Sequence, residues 1–363
     1  MSVSYGGDSI VFADGSVNAS GFIGHRNRII NGAMVIDQRK AGASVTTSGG
    51  DNYCPDRWLV YDTAGSKLAV QQVTDGPTGS GFLKSQKITS QAATTPGSTD
   101  YYFNCQRIEG FNVLDLGWGT ASAVSVTLSF WVKSSLTGSF SGAFGNTSFT
   151  RSYPFSYTIN SANTWEYKTV TVGGDTTGTW ATDNTAGLQV VFDLGSGSSR
   201  AGTVNTWSGN DYRKVTSSVN LIGTSGATWF VTGVQLERGS TASSFEYRSY
   251  GAELALCQRY YEKSYAIGTT AGTATGTNSM QGIRGNGMFI SKVVYKVTKR
   301  ATPGTVTIYS STTGTVTRVN NAQTGSDEVA TVTDSGDGSF QAQGTTSTLQ
   351  DTYRYHWISD AEL

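Results

Sequence analysis

From Asn27 to Tyr247 the chain repeats short runs in which apolar and polar residues alternate. Trp58-Leu-Val-Tyr, Leu68-Ala-Val-Gln-Gln-Val, Val124-Ser-Val-Thr-Leu-Ser-Phe-Trp-Val, Trp165-Glu-Tyr-Lys-Thr-Val-Thr-Val, Leu188-Gln-Val-Val-Phe-Asp-Leu and Thr228-Trp-Phe-Val-Thr-Gly-Val-Gln-Leu carry the pattern. A period of two buries one face of a strand and leaves the other wet. Turns rich in Gly, Ser and Thr separate the runs, and no helical stretch of about 10–15 residues lies between them, which argues against a parallel α/β sheet. The expected solution is an antiparallel sandwich of two sheets, in jelly-roll form. The period changes at Ser249. Leu254, Cys257 and Tyr261 fall at i, i+3 and i+7 and make one apolar stripe, with Ser249 placed to cap a helix and Glu253 in its first turn. Thr269 to Gly276 reads as a small polar loop. Strand-like runs then return at Met288, Val306, Glu328 and Tyr353. At the front, Ser9-Ile-Val-Phe-Ala-Asp-Gly-Ser-Val-Asn reads as a strand, an Asp14-Gly15 turn and a return strand. The expectation is therefore all-β. A docking hairpin (1–26) precedes an antiparallel jelly-roll β-sandwich (27–248), a linker helix (249–266) and a smaller C-terminal β-domain (267–363). A hairpin that short is not stable alone in water, so the first segment needs a partner.

Composition narrows the function classes. The 363 residues hold 26 basic and 26 acidic side chains, so the chain has no general pull on nucleic acid or anionic membrane. No Lys/Arg run marks a nucleic-acid surface. With 45 Gly, 8 Trp and 18 Tyr, the chain reads as many turns joined by short strands, because disordered chains lack aromatic residues. No window approaches the ~20 apolar residues of a membrane span, and Met1-Ser-Val-Ser-Tyr-Gly-Gly-Asp lacks the pattern of a secretory signal. Cys54, Cys105 and Cys257 are odd in number and too few for a disulfide scaffold, so buried thiols are expected. His25 and His356 leave little for a zinc site. No metal, cofactor or membrane insertion is expected.

Candidate chemistry is sparse. Gly7-Asp8-Ser9 resembles the nucleophile block of Gly-Asp-Ser-Leu esterases, which need a His base from an Asp-x-x-His. Here Asp351 and His356 are separated by four residues, Gly209-Asn-Asp lacks the spacer of the matching block, and the α/β pattern is missing. Asp327, Glu328, Asp334 and Asp337 offer carboxylates, but a glycosidase needs a pair ~5–9 Å apart across a groove and nothing in the spacing pins one. Asp334-Ser-Gly-Asp-Gly reads as a turn rather than a calcium loop. No catalytic residue is assigned. Aromatics carry more. Sugar rings stack on Trp and Tyr while their hydroxyls take polar partners. Trp131, Trp165 and Trp229 lie within alternating strands and are expected in the core. Trp118, Trp180 and Trp207, with Tyr212, fall in loops rich in Gly, Thr and Asn and are the candidate glycan contacts. The competing reading is that such loop tryptophans plug the end of the sandwich or a subunit interface.

Arg28-Ile-Ile-Asn-Gly-Ala-Met-Val-Ile-Asp-Gln-Arg, Asp56-Arg-Trp and Gly233-Val-Gln-Leu-Glu-Arg-Gly-Ser-Thr-Ala-Ser-Ser-Phe-Glu-Tyr-Arg together resemble tail-fibre and virion-surface proteins of tailed phages. Glu253-Leu-Ala-Leu-Cys-Gln-Arg-Tyr-Tyr-Glu-Lys and the final Tyr355-His-Trp-Ile-Ser-Asp-Ala-Glu-Leu extend the resemblance, and Ser9-Ile-Val-Phe-Ala-Asp-Gly-Ser-Val looks like an attachment element of such proteins. Ser129-Phe-Trp-Val-Lys-Ser, Trp165 and Gly187-Leu-Gln-Val-Val-Phe are similar to carbohydrate-binding-module jelly rolls of the galactose-binding type. The resemblance implies a non-enzymatic protein located in the virion and assembled in the host cytoplasm. The preferred role is a tail fibre or spike that contacts host-surface glycan as a homotrimer, joined to other virion proteins through residues 1–26. A capsid-decorating or head-fibre protein is the alternative, and a surface-polysaccharide-degrading enzyme comes third.

Overall fold

The computed structural model describes residues 26–285, 288–345 and 351–363, together with the backbone of the strands Ser4–Gly6, Ser9–Val11 and Val17–Asn18. Ser9–Val11 pairs antiparallel with Val17–Asn18, Val11 opposite Val17, and on its other edge with Ser4–Gly6. The expected Asp14-Gly15 turn lies outside the described residues, as do Gly7, Asp8 and His25.

Residues 45–238 form an antiparallel sandwich of two six-stranded sheets. The first sheet runs in the order Glu166–Val172, Val126–Ser134, Thr228–Arg238, Ser85–Ser90, Leu68–Val73 and Val45–Thr46. The second runs Ser152–Ile159, Gly138–Gly145, Ala186–Asp193, Tyr102–Glu109, Leu59–Asp62 and Gly50–Tyr53. Val126, Leu128, Phe130, Val132 and Trp229 of the first sheet meet Leu188, Val190 and Phe192 of the second in a fully buried core. The hydrophobic effect acts through these layers, since burying each such side chain contributes about 1.5–3 kcal/mol.

The two sheets differ on their outer faces. Every residue of Ala186–Asp193 is buried, because segments near Phe149 and residues 196–216 cover that side. A second apolar cluster of Leu59, Phe103, Cys105, Phe149 and Val191 forms there. The expected wet face is thus lost on the second sheet and on the first survives clearly on the edge strand Glu166–Val172, whereas Thr228–Arg238 is buried on both sides. Cys54, Cys105 and Cys257 are free and buried, and burial pushes the Cys105 thiol up to about 11.

The helix spans Tyr250–Gln258, with the Ser249 hydroxyl accepting from the Ala252 amide at 3.4 Å. It ends before the expected stripe does. Tyr261 belongs instead to the strand Tyr261–Lys263, which pairs with the long Thr352–Asp360 strand. Leu254 and Cys257 still pack as the stripe requires, against Ile30, Ile36 and Tyr260. In the C-terminal unit Thr352–Asp360 is the hub, pairing antiparallel with Tyr261–Lys263, Met280–Gly285, Thr305–Ser310 and Arg318–Asn321. Phe289, Phe340, Tyr353, Tyr355 and Trp357 fill its core. The run expected as one strand at Glu328 is two, Asp327–Val329 and Thr331–Thr333, broken where the Ala330 amide turns to the Thr317 carbonyl.

Most of the phage-like sequence motifs meet in one place, the junction of the two β units. Asn31 donates to the carbonyls of Ile36 and Asp56 at 2.8 and 2.9 Å, and Gln38 donates to both carboxylate oxygens of Asp56. Gln38 also reaches the Tyr261 carbonyl at 2.9 Å. Arg39 pairs with Asp360 at 2.6 Å and with Glu362 at 3.2 Å, and its guanidinium lies 3.9 Å from the Tyr261 ring centre. Arg57 pairs with Glu362 while stacking 3.4 Å over Tyr260. Arg259 grips Glu109 of the second sheet with two bonds of 2.8 Å. Burying polar groups is costly unless they are hydrogen-bonded, and these bonds offset that cost. These motifs therefore encode a joint.

Candidate functional site

The three loop tryptophans converge at one end of the sandwich. Trp118 and Trp180 meet edge to face with centroids 4.8 Å apart, Trp118 and Trp207 at 5.3 Å, and Trp180 and Trp207 at 5.6 Å. All three planes stand near perpendicular, the arrangement favoured by aromatic quadrupoles. Each indole N–H donates to a main-chain carbonyl: Trp118 to Val124 at 2.7 Å, Trp180 to Thr177 at 3.2 Å, and Trp207 to Gly173 at 2.9 Å. The rings are therefore fixed in orientation, and their donors are spent.

The Gly-Trp-Gly sequence has a local reason. Gly117 (φ +61°) ends the Leu114–Leu116 turn, and Gly119 (φ +84°) donates to the Asp175 carbonyl at 2.7 Å. A Cβ at Gly119 would lie 2.8 Å from the Gly178 carbonyl and 3.0 Å from the Trp180 ring. Only glycine lets the Trp118 and Trp180 loops approach this closely. Asp175, buried, receives a two-bond grip from Arg151 at 2.6 and 2.8 Å and fixes Thr177 through its amide and hydroxyl. Tyr153 backs Trp207 at 5.1 Å.

Trp118 is only 9 % exposed and belongs to the core, whereas Trp180 and Trp207 are half-buried. A cavity of about 30 Å³ opens beside them, lined by Val113, Leu114, Leu116, Trp118, Trp180, Ala181, Thr182 and Leu188. Ligand cavities hold about 300–1,000 Å³, so this one admits a water and no sugar ring. Leu114, at its mouth, and nearby Phe111 are exposed. Tyr212 makes none of these ring contacts: its ring rests against Gly202, where a Cβ would come within 2.3 Å.

The other aromatic expectations divide. Trp229 is fully buried and donates to the Tyr157 hydroxyl at 3.1 Å. Trp131 and Trp165 are not core residues. Phe130 and Val132 point inward, so Trp131 points outward on the first sheet, 5.4 Å from Tyr167. Trp165 lies on the same outer side, donating to Asp75 at 3.2 Å. The sequence signal was the parity of Trp131 against Val126, Leu128, Phe130 and Val132.

The candidate catalytic groups hold local structural positions. His356 is buried, stacked on Tyr265 at 3.9 Å, with Nδ1 3.0 Å from the Ser264 hydroxyl and Nε2 2.9 Å from the Thr275 carbonyl. Burial lowers its pKa. Asp327 accepts from the Ser310 and Thr313 hydroxyls, and Glu328 from Tyr353. Asp334 has φ +48°, and the Gly336 amide donates to the Ser339 carbonyl at 2.8 Å, as a turn requires. Among the described residues no group of His, Cys, Asp and Glu is arranged to hold a metal ion, and no helix is long and apolar enough to cross a membrane.

No protein-family model matches the sequence, and no curated protein does either. Among solved structures, the enzymatically active domain of tailspike protein 4 of bacteriophage CBA120 is similar over 59 % of this chain and 22 % of its own, at 13 % identity and a TM-score of 0.31. A family 11 carbohydrate-binding module of a cellulosomal cellulase of Clostridium thermocellum is similar over 54 % of this chain and 99 % of its own, at 14 % identity and a TM-score of 0.26. The N-terminal modules of an endo-1,4-β-D-xylanase of the same organism, complexed with xylohexaose, are similar over 56 % of this chain and 29 % of their own, at 12 % identity and a TM-score of 0.27.

Proposed function

We propose that the protein is a non-catalytic structural component of a tailed-phage virion, a tail fibre or spike whose β-sandwich contacts host-surface glycan. The observation that carries this reading is the convergence of Trp118, Trp180 and Trp207 at a loop-built end, with ring orientations fixed by main-chain carbonyls. Trp118 serves as the buried base, and Trp180 and Trp207 present the stacking surface. Rigid aromatic platforms suit glycan because little conformational freedom is lost on contact. At the site the buried Asp175 is engaged by Arg151 and Thr177 as a structural brace, and the exposed surface is aromatic. The phage-like motifs at the junction support the virion assignment.

Assembly belongs to the same proposal. The strands Ser4–Gly6, Ser9–Val11 and Val17–Asn18 are two or three residues long and need further pairing to be stable. Residues 1–26 join the protein to other virion proteins, and the protein acts as a homotrimer. Single sugar contacts are weak, and several copies acting together raise affinity by roughly 10²–10⁴. The test is retention of the purified protein on a panel of bacterial lipopolysaccharides and capsular polysaccharides, with Trp180→Ala and Trp207→Ala compared after their folding is verified. Loss of retention in both supports the platform. Unchanged retention in both, or release of reducing sugar by the wild type, overturns it. Solution mass settles the trimer, and a monomer at micromolar concentration refutes it.

A further inference from the structure

The outer face of the first sheet carries an aromatic strip that the loop-end site does not use. Tyr167, on the edge strand, sits opposite Trp131 on the next strand. The third strand has a bulge here, and Gly233 occupies it with φ +61°. A Cβ at Gly233 would lie 2.7 Å from the Phe82 ring and 3.1 Å from the Trp131 ring. Phe82 and Trp131 therefore close over a glycine that makes room for both. Beyond Phe82, Tyr247 stacks at 5.4 Å with an interplanar angle of 26°. Tyr167 is 45 % exposed and Tyr247 57 %, one at each end of the strip. The rings thus cross the strands from Tyr167 to a cluster of Phe82, Phe245 and Tyr247.

Charges flank the rings closely. Lys133 lies 4.3 Å over Phe230 and pairs with Asp75, and Lys168 pairs with Glu166. Lys87 also lies over Phe230, at 5.8 Å, and Lys84 bonds the Thr74 hydroxyl; neither has a carboxylate partner among the described residues. The patch is therefore basic on balance although the whole chain is neutral.

We infer that this face is a second glycan-binding surface, and that its ligand is an acidic polysaccharide chain lying across the strands over Tyr167, Trp131 and Tyr247. It shares with the proposed function the class of ligand and none of its residues. One observation favours this occupant over a second copy of the chain. Interface cores are depleted of charge, whereas lysines and carboxylates border these rings directly. A sugar chain uses both features: its apolar faces stack on the rings, and its carboxylates meet the ammonium groups of Lys84 and Lys87.

The experiment is affinity electrophoresis of the full chain through gels holding polygalacturonate or neutral galactan. The wild type should be retarded more strongly by polygalacturonate. Tyr167→Ala and Trp131→Ala should each weaken that retardation by about tenfold, the order expected for losing one stacking ring. Lys87→Gln should weaken it for polygalacturonate and leave galactan unchanged. Trp180→Ala and Trp207→Ala should leave it intact, which separates failure of this face from failure of the loop end. No retardation of the wild type, or equal retardation of wild type, Tyr167→Ala and Trp131→Ala, overturns the inference. A wild-type oligomer that dissociates on Tyr167→Ala also overturns it, by giving the face to a second copy.

Discussion

Glu362 is one residue from the C-terminal end of the sequence and holds the joint between the two β units. Its carboxylate meets Arg57 and, at 3.2 Å, Arg39. The Arg57 side chain is 1 % exposed and is sandwiched between Glu362 and the Tyr260 ring, with a further bond to the Arg107 carbonyl at 2.5 Å. Glu362→Gln keeps the shape and removes the charge. Breaking a buried pair costs about 3–5 kcal/mol, because the remaining ion stays desolvated. The low end applies here, since the Gln oxygen can still accept from Arg57 and Arg39 retains Asp360. About 3 kcal/mol corresponds to a fall in Tm of roughly 6–12 °C at ~2–4 °C per kcal/mol for large domains. Differential scanning calorimetry reads it, and it should also show the C-terminal unit melting ahead of the sandwich. The double variant Arg57→Met/Glu362→Gln removes both charges and should recover most of the loss. A single variant within 1 °C of wild type, or a double variant worse than the sum of its singles, would refute the buried-pair account.

Asp193 is fully buried with one oxygen bonded to the Ser196 amide at 2.9 Å and the other unpartnered, and burial pushes its pKa up to about 6. The folded state then holds a proton that the unfolded state has released, so stability is lost as pH rises from about 4 through 6. Asp193→Asn should be more stable than wild type by about 2–3 kcal/mol at pH 8 and equal to it below pH 4, as urea titrations at both pH values would show. Trp118→Ala should cost about 3–5 kcal/mol by urea unfolding, clearly more than Trp180→Ala, because only Trp118 is built into the core. Gly233→Ala should cost about 1–3 kcal/mol through its positive φ and its clash with Phe82, and should weaken polygalacturonate retardation with the loop end unaffected.

The alternating strands were legible because one of their faces is wet. Glu166–Val172 lies at the edge of the first sheet with Tyr167, Thr169 and Thr171 exposed, and on Val126–Ser134 Trp131 and Lys133 are half-buried. Tyr102–Glu109 carries no such pattern, since Asn104, Gln106 and Glu109 are buried with the apolar residues and serve the core and the joint. Gly138–Gly145 is built from Gly, Ser, Ala and Phe, and its small residues admit Phe155 and Phe149, a packing reason that local propensity does not report. The loop tryptophans could be named from their Gly- and Thr-rich surroundings. Their convergence could not, because it depends on which strands pair across the sandwich. Tyr212 shares the same loop composition and lies against Gly202, so composition alone does not place a ring in the cluster. The phage-like motifs were legible as text, but their physical role appears only when Gln38, Arg39, Asp56, Arg57 and Glu362 are seen in one network.

The unequal sheets bear on how the molecule can meet a surface. The second sheet is committed inward on both sides. Its outer face carries the Phe149 and 196–216 segments, and its edge is bound to the C-terminal unit through Arg107 and Tyr53, which both donate to the Leu363 carbonyl. Arg107 also pairs with Asp51 at 2.9 Å, which ties the edge strand to the same joint. Of the two sheets, the first is left to present a broad face, and that face bears the rings and the unpaired lysines. In the proposed homotrimer, the joint sets the direction in which each copy holds this face. Glu362→Gln should therefore weaken binding to a polysaccharide-coated surface more than binding to short oligosaccharides in solution, because it loosens the presentation of the strips and leaves each strip intact.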